Sequence, residues 1–193
     1  MPLINNSVYF VHIPRTGGRF LTKLFRENNY DCKFNYFYKI KSKNKEIEIP
    51  HLAYPDYTGL FKEKNIKYFT IVRDPVSRFQ SLLKKHVTNL DKIFYSKNNF
   101  VNYINKEIIS CNNNWFLPQV NFITKNTFLW KFENNLDKDF FNWLYTNFGF
   151  NFKIKNVDYD KHPTIDEGEV ILNKKQIDWV KEYYYQDYKI LEY

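Results

Sequence analysis

The apolar positions of this chain follow two periods in alternation. Residues 8–13, "VYFVHI", are a nearly unbroken apolar run that stops at Pro14, the pattern of a strand covered on both faces. After "PRTGGR" the run "FLTKLFREN" places Phe20, Leu21, Leu24 and Phe25 at helical spacing, so the order is strand, tight loop, helix. The sequence repeats this twice. "IKYFTIVR" (66–73) reads as a strand covered on both faces, and Asp74-Pro75 then opens a helix through "VSRFQSLLKKHV", with Asp as N-cap and Pro in the first turn. "NTFLWKF" (126–132) is another strand, followed by a helix over 135–149 that Gly149 closes.

The segments between are less regular. Residues 30–45 read as an extended or hairpin region ending in a basic loop, and 46–54 ("EIEIPHLAY") as a short strand stopping at Pro50-His51. A brief helix is predicted over 57–65, a helix over 98–110 and a last strand over 152–158. Residues 172–193 predict one terminal helix whose apolar stripe docks on the body. Strands alternating with helices imply an α/β fold with a central, mostly parallel sheet flanked by helices. No linker or repeat divides the chain, so residues 1–193 are expected to form a single domain. In such sheets ligands sit beyond the carboxyl ends of the strands.

Composition agrees with one sizeable core: 193 residues, 44% apolar and 20% aromatic, well outside the disordered range. The net charge of +8 favours anionic partners, although the abundance of lysine supplies much of it without any function. Arginine is more telling. The chain has 29 basic residues, yet its arginines are only Arg15, Arg19, Arg26, Arg73 and Arg78. Four of them fall in the first loop and in "IVRDPVSRF", and Arg offers the planar fork that suits phosphate and sulfate oxygens. Cys32 and Cys111 have no metal-ligand spacing, so no metal site is expected. No apolar run is long enough to span a bilayer, and "MPLINNS" lacks the form of a signal peptide. A soluble cytoplasmic protein is the expectation.

The chain has five glycines, two of them adjacent at Gly17 and Gly18 with an arginine on either side. A glycine-rich loop entering a helix turns main-chain N–H groups and the positive end of the helix dipole toward one point. A phosphate or sulfate is the natural guest. Two Arg-bearing segments at one sheet edge suit a ligand with two anionic ends.

At this point the sequence resembles a known family. "FVHIPRTGGRF" is similar to the 5′-phosphosulfate loop of sulfotransferases that use 3′-phosphoadenosine 5′-phosphosulfate (PAPS), in the branch with an HIPKTGG-type loop that includes carbohydrate sulfotransferases. "RDPVSRFQS" resembles their 3′-phosphate segment, in which an Arg and a Ser eight positions later hold the ribose 3′-phosphate; here these are Arg73 and Ser81. "NWFLPQVNFI" (114–123), residues 129–149 and "VKEYYYQDYKILEY" (180–193) resemble further segments of that branch in the same order, so the resemblance covers nearly the whole chain. It implies a P-loop-like three-layer fold and transfer of a sulfuryl group from PAPS to an acceptor hydroxyl, of a carbohydrate by analogy, without a metal. Nucleotide contacts would come from Arg15, Thr16, Gly17, Gly18, Arg19 and Phe20 at the 5′ end and from Arg73, Arg78 and Ser81 at the 3′ end. Arg78 shares a helix side with Ser81 and joins that contact or else pairs with an acidic surface group.

Two positions depart from the family pattern. Arg15 stands where Lys is usual and Arg19 where Thr is common. Arg15 stays charged at any working pH, which makes it an electrostatic clamp rather than an acid. His51, in "PHLAY", resembles the family's GH-(L/F)-P-Y segment and would take the acceptor's proton; otherwise it caps a strand and bonds a carbonyl. His12 reads as structural, His86 and His162 as surface residues, and Glu133 as a loop anchor or ion-pair partner. Three rival readings remain beside this one. A P-loop kinase would need GxxxxGK[ST], which is absent. A basic nucleic-acid binder would use the interleaved Lys, Tyr and Phe as a stacking surface, but no nucleic-acid motif is present. The third is a nucleotide-holding protein that does not transfer. Acceptor and oligomeric state are not encoded in any motif.

Overall fold

A computed structural model describes residues 3–33, 39–42, 45–59, 65–86, 100, 114–153 and 170–193. Its centre is a five-stranded sheet in the order β3-β1-β2-β6-β7. The strands are β1 (Leu3–Ile4), β2 (Val8–Phe10), β3 (Cys32–Lys33), β6 (Lys67–Val72) and β7 (Thr127–Lys131). A separate hairpin pairs β4 (Lys39–Ser42) with β5 (Lys45–Glu48). Six helices are described: α1 (Gly18–Glu27), α2 (Asp56–Gly59), α3 (Pro75–His86), α4 (Lys138–Phe148), α5 (Lys174–Tyr183) and α6 (Tyr185–Leu191).

The sheet is mixed, not mostly parallel. β2, β6 and β7 run parallel in register, with Phe10 beside Phe69 and Ile71 beside Trp130. β1 is antiparallel to both β2 and β3. The extra strand escapes the pattern reading because it is two residues long. It is turned into β2 by Asn5 and Asn6, at φ 47° and 56°, with Ser7 N–H donating to the Ile4 carbonyl at 3.1 Å. Asn tolerates that left-handed geometry better than most residues.

Alternation along β2 divides the core between the two faces of the sheet. Val8 and Phe10 join Leu21, Leu24 and Phe25 of α1 and Phe140 and Leu144 of α4. Tyr9 and Val11 face the other way, with Tyr57 of α2, Phe122 and Leu191 of α6. There Tyr57 stacks on Tyr9 at 5.2 Å and donates its hydroxyl to the Phe122 carbonyl. A further cluster joins Phe79, Leu82 and Leu83 of α3 to Val180 and Tyr184.

Helix ends match their sequence signals. Asp74 Oδ1 accepts the Ser77 N–H at 2.8 Å, capping α3 with Pro75 in the first position. Gly149 ends α4 at φ 74°. The terminal segment, expected as one helix, breaks at Tyr184. That side chain is fully buried and donates its hydroxyl to the Phe116 carbonyl at 2.9 Å, while its own carbonyl accepts from Asp187 N–H, three residues on, at 2.9 Å, a tightened turn between the two helices. Residues 49–51 form a 3₁₀ turn after β5 instead of extending the strand. Of the strand expected at 152–158, Phe152 and Lys153 are not in a strand and the rest lies outside the described residues. The helix expected over 98–110 also lies outside them, apart from Phe100; so do Cys111, His162 and most of the helix expected over 57–65 beyond Gly59. No helix among the described residues is long and apolar enough to cross a membrane.

Candidate functional site

The carboxyl ends of β2, β6 and β7 share one end of the sheet, where parallel α/β sheets form their ligand sites. The loop from Val11 to Gly17 leaves β2 there, Arg73 follows β6, and Phe132 and Glu133 follow β7.

The paired glycines have different causes. Gly17 is the N-cap of α1 at φ 101°, a left-handed conformation that L side chains resist. Gly18 has no such constraint; a Cβ there would lie 1.8 Å from His12 Nε2. The imidazole of His12 therefore lies against the helix start, and only a residue without a side chain leaves it room. Gly17 supplies no side-chain cap, and the first N–H groups of a helix have no intrahelical acceptor. The main chain at the start of α1 is thus a donor cluster next to Arg15 and Arg19.

Two loop side chains turn into the protein. Thr16 is fully buried, and its hydroxyl donates to the Ile13 carbonyl at 2.9 Å. This bond folds the loop back on itself. Phe20 is buried in the core cluster of α1, near Phe141; only its main chain belongs to the loop mouth.

Arg15 sits at φ 68°, uncommon for a long side chain, and its Nε–H donates to Ser81 Oγ on α3 at 2.9 Å. An Nη of Arg73 approaches the Arg15 carbonyl at 3.5 Å. The two segments predicted to grip opposite ends of a ligand therefore meet. Burial lowers the Arg15 pKa, and the like charges of Arg19 and Arg73 lower it further. Positive groups that crowd and desolvate each other in this way are stabilised by an anion. Arg73 is also shifted down by burial, against the opposing effect of Glu133 and Asp74. Its guanidinium lies 4.8 Å from the Phe132 ring centroid, and its Nε is buried without a hydrogen-bond partner. An orphaned donor on a buried cation is costly unless something is there to accept.

Arg78 is fully buried, and it donates to three carbonyls: Pro14 at 3.0 Å, Leu117 at 3.1 Å and Trp115 at 2.8 Å. The fork that suits phosphate here ties the loop after β2 to residues 115–117, under the ring of Tyr184. Arg78 is a structural hub.

His51 is 3% exposed. Its Nδ1 lies 2.9 Å from the His12 carbonyl, which assigns the proton to Nδ1 and the lone pair to Nε2. Its ring stands 4.3 Å from the His12 ring and 5.0 Å from Trp115, and its carbonyl accepts from the Asn114 amide. Burial pushes its pKa down to about 4; the His12 carbonyl bond opposes this and the charge of Arg78 adds to it. His12 is also held well below the usual imidazole value, by burial and then by His51. Since the His12 ring touches both His51 and Gly18, the imidazole pair borders the loop. Glu133 anchors the turn after β6: Oε1 accepts the Asp74 N–H at 2.8 Å and Oε2 the Tyr193 hydroxyl at 2.9 Å.

Compared with protein-family models, curated proteins and solved structures, the chain matches none.

Two residues at the site carry no motif signal of their own. Gln119 bonds the main chain of Arg73 on both sides, and the fully buried Asp187 bonds Gln119. A polar residue straight after Pro118 in an apolar stretch, and an acid in the aromatic stripe of 180–193, were the available hints.

Proposed function

We propose that the chain binds PAPS at the shared end of β2 and β6 and transfers its sulfuryl group to an acceptor hydroxyl, by resemblance that of a carbohydrate. The supporting observation is the meeting of the Gly17–Gly18 loop with α3 through Arg15 and Ser81, 66 residues apart, beside the unpartnered Nε of Arg73. On this reading the fold is a P-loop-like three-layer one. The N–H groups at the start of α1, with Arg15 and Arg19, hold the 5′ end, while Arg73 and Ser81 hold the 3′-phosphate. Sulfuryl transfer breaks the bond from sulfur to the 5′-phosphate oxygen and forms one to the acceptor oxygen, leaving adenosine 3′,5′-bisphosphate. Negative charge grows on the departing oxygen, where Arg15 stabilises it; such preorganised donors supply much of catalysis for loose anionic transfers. The acceptor's proton passes to Nε2 of His51.

A second reading, nucleotide binding without transfer, is favoured by one observation. His51 is buried and its pKa lies near 4, a weak base unless the bound anion raises it. Labelled-sulfate transfer from PAPS to a panel of glycans and small alcohols, with chelator present, separates the two. Product on at least one glycan supports the transferase. Tight nucleotide binding with no product anywhere supports the second reading.

A further inference from the structure

We infer that Gln119, braced by Asp187, is a positioning residue that sets the preference for a 3′-phosphate by fixing the main chain of Arg73. The inference rests on the nucleotide reading above.

The reason begins in the sheet. In a parallel ladder both main-chain polar groups of one residue point to the same neighbour, and successive residues alternate sides. The Phe69 carbonyl accepts from Val11 N–H at 2.8 Å, so Phe69, Ile71 and Arg73 turn toward β2. By the level of Arg73, β2 has already left the sheet: its chain passes through Pro14 into the loop. The N–H and C=O of Arg73 therefore face the gap that opens the site, with no strand to receive them.

Gln119 stands in for that strand. Its Oε1 accepts the Arg73 N–H at 2.9 Å, and its Nε2 donates to the Arg73 carbonyl at 2.8 Å. The second Nε2 hydrogen faces Asp187 Oδ2 at 3.4 Å. A flipped amide would set its nitrogen against the Arg73 N–H and its oxygen against a carboxylate, so the orientation is fixed. Asp187 also accepts the main-chain N–H groups of Gln119 and Val120, each at 2.9 Å. Terminal helix α6 thus holds the 119–122 turn, the turn holds Gln119, and Gln119 holds Arg73.

The Arg73 side chain is held far less firmly. Its contacts are a long 3.5 Å approach to the Arg15 carbonyl and the Phe132 ring, and its Nε has no partner. Where the guanidinium points is therefore decided mainly by its main chain. Since Arg73 is the side chain assigned to the 3′-phosphate, loosening it should affect that phosphate and leave the 5′ end alone.

The test compares two nucleotides, adenosine 3′,5′-bisphosphate and 5′-AMP, by calorimetry on wild type, Gln119→Met and Asp187→Asn, with circular dichroism melting as the fold control. Met fills similar volume and forms neither bond. Gln119→Met should reduce the preference for the bisphosphate about tenfold while the 5′-AMP Kd stays within about twofold; Asp187→Asn should reduce it by a smaller factor in the same direction. Should Gln119→Met fail to fold, the Asp187→Asn ratio decides. An unchanged ratio in a folded variant, or equal weakening of both nucleotides, overturns the inference. Wild-type protein that binds neither nucleotide, or both equally, overturns the nucleotide reading itself and this inference with it.

Discussion

Arg15 Nε–H and Ser81 Oγ lie 2.9 Å apart, joining the loop after β2 to the second turn of α3. One belongs to the segment predicted for a 5′-phosphosulfate and the other to the segment predicted for a 3′-phosphate. The contact matters because Arg15 also meets Arg73 through its carbonyl and feels the charges of Arg19 and Arg73. Arg15, Arg19 and Arg73 place positive charge at this end of the sheet, which favours an anion there.

Arg15→Ala is expected to lower sulfuryl transfer about 10²-fold or more, in the range typical for losing one preorganised donor at a developing charge. Arg15→Lys should retain most of the rate, since a cation remains on the departing oxygen. Ser81→Ala should mainly weaken nucleotide binding, by about 1 kcal/mol for a neutral hydrogen bond. Steady-state kinetics with PAPS check all three. An Arg15→Ala enzyme with unaltered turnover would remove this residue from the chemistry.

The glycine pair gives a stability prediction. Gly18→Ala forces a Cβ into the His12 ring, and overpacking of this kind costs about 1–3 kcal/mol. The cost should fall when His12→Ala is combined with it, because the ring is the obstacle. Gly17→Ala acts through its φ of 101° and should not be relieved by His12→Ala. Urea denaturation of the single and double variants makes the comparison; equal relief in both pairs would contradict it.

Arg78→Lys tests the hub. A single ammonium cannot reach the three carbonyls of Pro14, Trp115 and Leu117 that the guanidinium serves, and a buried carbonyl left unpaired costs about 1–3 kcal/mol. The expected loss is therefore about 3 kcal/mol or more, read from the urea midpoint. A change below about 1 kcal/mol would contradict this structural role of Arg78.

Much of this was readable in the sequence, for physical reasons. β2 and most of β6 are apolar runs because both faces of the sheet are covered there, and Asp74-Pro75 and Gly149 announce helix ends through fixed backbone chemistry. The Arg-bearing segments pointed to one sheet end because strand-to-helix turns in parallel sheets share it. What could not be read is long-range. Nothing local tells that Arg78 is sealed among carbonyls or that the Tyr184 hydroxyl reaches Phe116. β1 was too short to show a period. Gln119 acts through a main chain 46 residues away, which no spacing rule encodes.

Acid should destabilise the fold through the imidazole pair. The folded pKa of His51 lies near 4, below the unfolded value of about 6.5. Between these two values the unfolded chain binds a proton that the folded chain refuses, so stability is full above about pH 6.5 and declines as pH falls toward 4. The full difference is about 3 kcal/mol for His51, with His12 acting in the same direction. Urea midpoints measured from pH 7.5 to 4.5 should show the decline, and His51→Gln should make it shallower, with the part due to His12 left. A wild-type profile that stays level down to pH 5 would contradict the burial of both rings.

The central claim, a single cleft that holds both ends of a doubly anionic adenine nucleotide, is tested most directly by calorimetric titration of adenosine 3′,5′-bisphosphate in the presence of EDTA. The account predicts one site per chain without metal, weakened by about 2–3 kcal/mol in Arg73→Ala, as expected for losing a charged hydrogen-bonding group on a buried phosphate. No binding by the wild type, or an Arg73→Ala affinity equal to it, would contradict the account.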